Sequence, residues 1–307
     1  MIQQDKHFHM SEDYALNSSS QKTSGRLVIQ TAIEMAKSAF QNPKNIKALD
    51  IACGPGNLTI EFLHALEDNF PDAKIDLAGL DYSEENVNRL IKNSAGSVQG
   101  IVASFYELPA QTKGQNIIIS NEGLHWQPPY KTSKIFYAYL PFAEREKYEL
   151  FAMQNLENAL SNIHESLKPG GIAVLQFGHA GSMKKNWDVI YEVFNEEPFK
   201  QYMDKINIPL YYLSIEQIRN ALLKAGFTKE NININSFTQD LTEDTPAAIT
   251  NLHRAVSQHG YSQVFNPNLL EAFYKRMEEK LNDKEMNSYR KDQWHRTLIK
   301  LKKANSG

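Results

Sequence analysis

The sequence predicts an α/β fold in which helices cover both faces of a mostly parallel sheet. Three observations carry that expectation. Short apolar runs alternate with amphipathic stretches between residues 46 and 178. The apolar runs are continuous, which marks strands buried on both faces. The first run ends in an acid and a Gly-Pro-Gly turn, LDIACGPGNLT at 49–59, and such a turn is where ligands approach an open α/β sheet.

The elements follow in order. Residues 1–25 are polar and end in NSSSQKTSG, a loop-like stretch. Ile29, Ala32, Ile33, Ala36 and Phe40 then recur at helical spacing, predicting an amphipathic helix that QNPKN breaks. IKALDIA reads as the first strand and NLTIEFLHALEDNF as a helix. AKIDLAGLD is the second strand, followed by a helix that Ser83 caps in SEENVNRLIKNS. SVQGIVA and QNIIISN are the third and fourth strands. Residues 151–168 read as a helix stopped by KPGG, and GIAVLQFG as the fifth strand.

Beyond it, residues 181–292 read as mostly helical, with SIEQIRNALLKAGF and NININSFTQ as a helix–strand pair and HRTLIKLKKA as a last strand. The expected organisation is an N-terminal flap and helix over 1–45, a ligand-binding core over 46–180, and a C-terminal part over 181–307 that completes the sheet and carries a helical cap insert.

A net charge of −3 over 307 residues supplies no basic field, so nucleic acid is not expected as a partner. Cys53 is the only cysteine, which excludes an intrachain disulfide and argues against a cysteine-based zinc site; no metal is expected. MIQQDKHFHMSEDY lacks the apolar stretch of a signal peptide. No apolar run approaches the ~20 residues that span a bilayer. A cytoplasmic protein without membrane partners is the expectation.

Gly54 and Gly56 permit backbone conformations closed to other residues and let a ligand come near. Asn57 opens a helix whose N-terminus favours negative charge. A dinucleotide fingerprint fits poorly, since its third glycine falls at Thr59 and Asp50 precedes the turn.

The row Asp50-Ile-Ala52-Cys53-Gly54-Pro-Gly56 instead resembles the cofactor loop of class I S-adenosylmethionine-dependent methyltransferases. AGLDYS, ASFYELP, SNEGLHW and LSNIHESLKPGG follow in that family's order, and the resemblance covers about residues 20–180. It implies a Rossmann-like, doubly wound, mostly parallel seven-stranded sheet with helical lid insertions, and S-adenosyl-L-methionine as cofactor. Residue by residue, it puts Asp50 at the amino head of the cofactor and Ala52, Cys53, Gly54, Gly56 and Asn57 along the loop. Asp81 goes to the two ribose hydroxyls, with capping of the next helix as its structural alternative. Tyr82 either covers an adenine face or fills the surface. Ser104 and Phe105 fall at the adenine, and Asn121 beside the cofactor after strand four. Three positions depart from the family pattern: Ala52 replaces a glycine, Ser104 stands where an acid is common, and Asn116 where an Asp opens strand four.

The mouth beyond strand four resembles the small-carboxylate O-methyltransferases, the trans-aconitate, juvenile-hormone-acid and malonyl-thioester group. Their S-N-x-x-L-H-W row is matched by Ser120, Asn121, Leu124, His125 and Trp126, and an N-terminal Y-x(n)-S-x-x-Q stretch by Tyr14, Ser18 and Gln21. This implies a small-molecule acceptor whose carboxylate is held by Gln21 and Trp126, both of them donors. Trp126 also reads as a core or lid aromatic, and His125 as either a general base or a packed histidine. Aromatic residues in the insert at 128–150 (Tyr130, Phe136, Tyr137, Tyr139, Phe142) and in 181–213 (Trp187, Tyr191, Phe194, Phe199, Tyr202, Tyr211, Tyr212) predict a lid over the acceptor, or ordinary helix packing. N-, phenol-O- or C-methylation with a side-chain base, and a silent cofactor-binding protein, are the rival readings. Oligomeric state is not legible.

Overall fold

The computed structural model describes residues 19–126, 142–206, 210–240, 245–262, 264–283 and 293–305. Seven strands form one sheet: β1 (Asn45–Ile51), β2 (Lys74–Asp81), β3 (Gln99–Val102), β4 (Gln115–Asn121), β5 (Leu167–Gly178), β6 (Ile232–Asp240) and β7 (Gln293–Lys302). Their order is β3-β2-β1-β4-β5-β7-β6. All pairings are parallel except those of β7, which runs antiparallel to both neighbours. The expected mostly parallel, seven-stranded sheet is therefore present. Strand order reverses between β1 and β4, and their carboxyl ends open the crevice where such sheets bind ligands.

The continuous apolar runs have a simple cause. Ile46 and Ala48 of β1, with Ile117 and Ile119 of β4, are buried on one face; Leu49, Ile51 and Ile118 are buried on the other. Helices α1 (Ser19–Ala39), α2 (Asn57–Asn69) and α3 (Glu84–Asn93) precede β1, β2 and β3. Val28, Ala32 and Ala36 of α1 and Phe62 and Leu66 of α2 bury themselves on the first face. On the second face lie α4 (Phe142–Ser166), through Leu156, Leu160 and Ile163, and α6 (Ile215–Lys224), through Ile218 and Leu222. Ser83 caps α3 as expected, its Oγ accepting from the Asn86 N–H at 3.3 Å. Ser214 and Gln217 form a reciprocal capping box that starts α6.

A separate helical layer is built from α5 (Lys184–Phe194), α7 (Pro246–Ser262) and α8 (Pro267–Asn282). Phe194, Phe199, Tyr261, Phe265 and Phe273 close its core, with the Phe194 and Phe273 ring centroids 4.8 Å apart. Arg276 and Lys280 of α8 reach Glu196 and Glu192 at the end of α5.

Three expectations change. The loop-like stretch at 19–25 is the first part of α1, because Ser24 is buried against β4 and β7 and holds that turn in place. The helix read from residue 151 begins at Phe142, and β5 begins at Leu167, so Pro-Gly-Gly lies within β5, whose pairing with β4 shifts register between Gln115 and Ile117 of β4. Of the predicted lid aromatics, Phe194 and Phe199 are core of the helical layer, because both rings pack against Phe265 and against Phe273 of α8. Tyr14, Ser18, Tyr130, Phe136, Tyr137 and Tyr139 lie outside the described residues.

Candidate active site

The chain leaves β1 through three residues with positive φ: Ala52 at 58°, Gly54 at 54° and Gly56 at 89°. A side chain at 56 would run into Leu90 of α3, so glycine is required there for space as well as conformation. Gly56 caps α2 and Asn57 is its exposed first residue. Cys53 is buried behind the turn, with its N–H bonded to the Leu80 carbonyl at 3.0 Å. Burial holds its thiol well above the ordinary range, as expected of a packing residue.

Two buried acids flank the turn. Asp50 Oδ2 accepts from Thr59 Oγ1 at 2.7 Å, while Oδ1 has no hydrogen-bond partner among the described residues. Burial pushes this carboxyl up to about 7, with the Thr59 bond opposing and Asp81 adding to the shift. At the end of β2, Asp81 Oδ2 accepts from the Gly54 N–H at 3.0 Å. Its Oδ1 accepts from the Ser83 N–H at 2.9 Å and from Asn86 Nδ2 at 3.3 Å. Burial raises its carboxyl too, against the pull of those three bonds. A carboxylate offers about four acceptor sites, so a partner arriving with two hydroxyls must share or displace one of these bonds. Tyr82 beside it is half exposed.

The loop after β3 is tied to α4. Asn162 Nδ2 donates to the carbonyls of Phe105 and Tyr106, at 3.3 and 2.8 Å. The Phe105 ring is buried in the core beneath, and Ser104 Oγ accepts from the Tyr106 N–H at 3.2 Å. Asn116, where an Asp was expected by family pattern, accepts from the Lys47 N–H at 3.1 Å and so links β4 to β1.

The segment after β4 lies against the glycine turn. A Cβ on Gly123 would sit 2.5 Å from that of Ala52, so glycine lets the two loops touch. Glu122 takes a positive φ of 58° and its N–H reaches the Gln176 carbonyl at 2.8 Å. His125 is buried; its Nδ1 accepts from the Gly178 N–H at 3.0 Å. Nδ1 therefore carries no proton, and the neutral ring is protonated at Nε2, 3.8 Å from Glu122 Oε2. Burial pushes the imidazole down to about 4, with Glu122 opposing and Arg296 assisting. Trp126 is half-buried where sheet meets helical layer: its backbone bridges to Leu210, and its carbonyl accepts from Tyr106 Oη at 3.3 Å.

Sequence reasoning missed a buried polar network behind this loop. Arg296 of β7 is almost wholly enclosed, pairs with Glu122, donates from Nη1 to Ser24 Oγ at 2.9 Å, and stacks 4.0 Å over Trp294. Ser24 donates in turn to Asn121 Oδ1 at 3.4 Å. Gln176, opposite Asn121 on β5, is buried with an amide that has no partner among the described residues. Gln21 lies in the first turn of α1, one turn before Ser24. No sequence signal joins Ser24 to Arg296, which lie 272 residues apart.

A family model described as a methyltransferase domain matches residues 26–232. The chain belongs to that family. This methyltransferase is similar in structure to a loganic acid methyltransferase with SAH, at a TM-score of 0.73 and 16% identity over 95% of this chain and 96% of that one. It is also similar to the YcgJ protein from Bacillus subtilis, at a TM-score of 0.51 and 11% identity over 90% and 100% of the two chains. At such identities the likeness is one of fold. Among curated proteins no sequence matches the chain.

As a member of its family the protein is an S-adenosylmethionine-dependent methyltransferase. Its residues fit that cofactor. Two buried carboxylates flank a turn of positive φ, and Oδ1 of Asp50, unpartnered among the described residues, is an acceptor suited to an ammonium group. No helix among the described residues is long and apolar enough to cross a membrane.

Proposed function

We propose that this methyltransferase transfers the methyl group of S-adenosyl-L-methionine to a carboxylate oxygen of a small organic acid. The observation that carries the reading is the state of His125. Its one lone pair is taken by the Gly178 N–H and its proton faces Glu122, so it cannot accept a proton from an acceptor. Burial also holds the phenol of Tyr106 well above its ordinary range, which disfavours it as a base. An amine or phenol needs a base. A carboxylate is already ionised near pH 7 and needs only donors that align it. The S-N-x-x-L-H-W resemblance points the same way, and the similarity in fold to a loganic acid methyltransferase agrees with it.

S-adenosyl-L-methionine supplies an activated methyl group on a sulfonium. Around it, Asp50 takes the amino head, Asp81 the ribose hydroxyls, and the loop from Ala52 to Asn57 lies along the cofactor. Ser104, Phe105 and Tyr82 border the adenine, the first two through the loop that Asn162 fixes. Asn121 would border the cofactor. Trp126 and Gln21 hold the acceptor carboxylate. His125 is a positioning residue that sets Trp126 by bonding to β5.

The test is the rate at saturating cofactor against pH. The proposal expects no titration between about pH 6 and 8, because the acid is ionised throughout. A rate that climbs on a single group near neutrality would transfer the protein to the base-assisted N-, phenol-O- or C-methyltransferases.

A further inference from the structure

The helical layer holds hydrogen-bonding atoms that the fold leaves unused. His253 and Thr250 lie one turn apart on α7, hence on one face of it, and both are buried. Among the described residues, neither ring nitrogen of His253 nor the Thr250 hydroxyl has a hydrogen-bond partner, and the same holds for Trp294 Nε1. A neutral imidazole has one donor and one acceptor. The Trp187 indole meets the ring edge-on with centroids 5.3 Å apart, which does not satisfy the acceptor nitrogen. Leaving such groups dry is costly, so they are uncommon without a purpose.

Their position gives the purpose. Trp187 meets His253 and also packs against the cluster of Met183 and Trp294. Arg296 stacks on Trp294 and pairs with Glu122, which adjoins His125 and Trp126. An unbroken run of contacts therefore leads from the loop after β4 to His253. Along it the guanidinium of Arg296 is already matched by Glu122. Burial keeps His253 neutral, its imidazole pushed down to about 3.

We propose that His253 and Thr250 form a second polar subsite, which receives an uncharged oxygen function, a hydroxyl or carbonyl, at the far end of the acceptor. The acceptor is then an oxygenated acid rather than a plain hydrocarbon chain. This rests on the carboxylate reading, which places the other end of the same molecule at Trp126.

The experiment titrates medium-chain fatty acids and their ω-hydroxy counterparts into the S-adenosyl-L-homocysteine complex. The best ω-hydroxy acid is expected to bind wild-type about tenfold tighter than the fatty acid of equal length. His253→Phe should abolish that preference, leave fatty-acid affinity in place, and keep or raise the melting temperature, because an orphaned polar group is removed. His253→Gln, which retains a donor and an acceptor, should restore part of the preference. No preference in wild-type, a preference that survives His253→Phe, or a lower melting temperature in His253→Phe with no recovery in His253→Gln overturns the proposal. If neither acid binds, the carboxylate reading falls, and linear diols then decide the subsite: binding that His253→Phe abolishes supports it, and no binding to wild-type overturns it.

Discussion

The backbone N–H of Gly54 donates to Oδ2 of Asp81 across 3.0 Å. The turn after β1 and the acid that ends β2 are thereby one unit, and the residue proposed for the ribose also shapes the loop beside it. Asp81→Asn removes the charge from this unit. The expected result is a cofactor affinity lower by about tenfold or more, since charge-assisted hydrogen bonds carry that much. Calorimetric titration of S-adenosyl-L-methionine reads it, and unchanged affinity would remove Asp81 from the ribose.

Asp50 predicts a pH dependence. Its carboxyl, raised to about 7 by burial, holds a proton in part of the free enzyme near neutrality. An ammonium group at Oδ1 favours the ionised form. Cofactor affinity should therefore rise through about pH 6 to 8 with release of a proton, and Asp50→Asn should flatten the curve. The stability sign is opposite. A raised carboxyl stabilises the fold fully below its unfolded value of 3.8 and loses that contribution as pH climbs through about 7. Asp50→Asn should thus melt higher than wild-type at neutral pH without ligand. Titrations in buffers of different ionisation enthalpy, with melting curves alongside, check both.

Trp126 and His125 should separate by readout. Trp126→Phe loses the indole donor, and kcat/KM for the acid should fall by about tenfold or more while cofactor affinity stays within a factor of two or so. His125→Gln should lower turnover through misplacement of Trp126, with the pH–rate profile unchanged in shape. A profile that loses a titration in this variant would restore His125 as a base.

Arg296 and Glu122 are a buried pair, and breaking one side should cost more than removing both. Arg296→Met leaves Glu122 enclosed without its guanidinium, with an expected loss of about 3–5 kcal/mol. The double variant Arg296→Met with Glu122→Gln should recover much of it. Additive losses in a denaturation double-mutant cycle would show that the pair does not act as a unit.

Much of the fold was legible because its causes are local. Ile117, Ile118 and Ile119 announce a strand covered on both faces, and Ser83 announces the start of α3 in four residues. The glycine turn was legible because only glycine tolerates the position at 56. What stayed hidden depends on distant partners. The start of α1 reads as a polar loop until Ser24 is seen against Arg296 and Asn121. Arg296 itself looks like one more cation in a basic final strand. The aromatic residues of 181–213 could not be divided between lid and core, because Phe194 and Phe199 are committed by α8, whose contact with them no local pattern reveals.

The central claim is tested most directly by tracing the methyl group. Enzyme, S-adenosyl-L-methionine labelled in its methyl group and a metabolite extract are combined, and the labelled product is identified by mass spectrometry. The account predicts the label in a methyl ester that base hydrolyses back to the free acid. A label fixed on nitrogen, on carbon or on a phenol oxygen would contradict it.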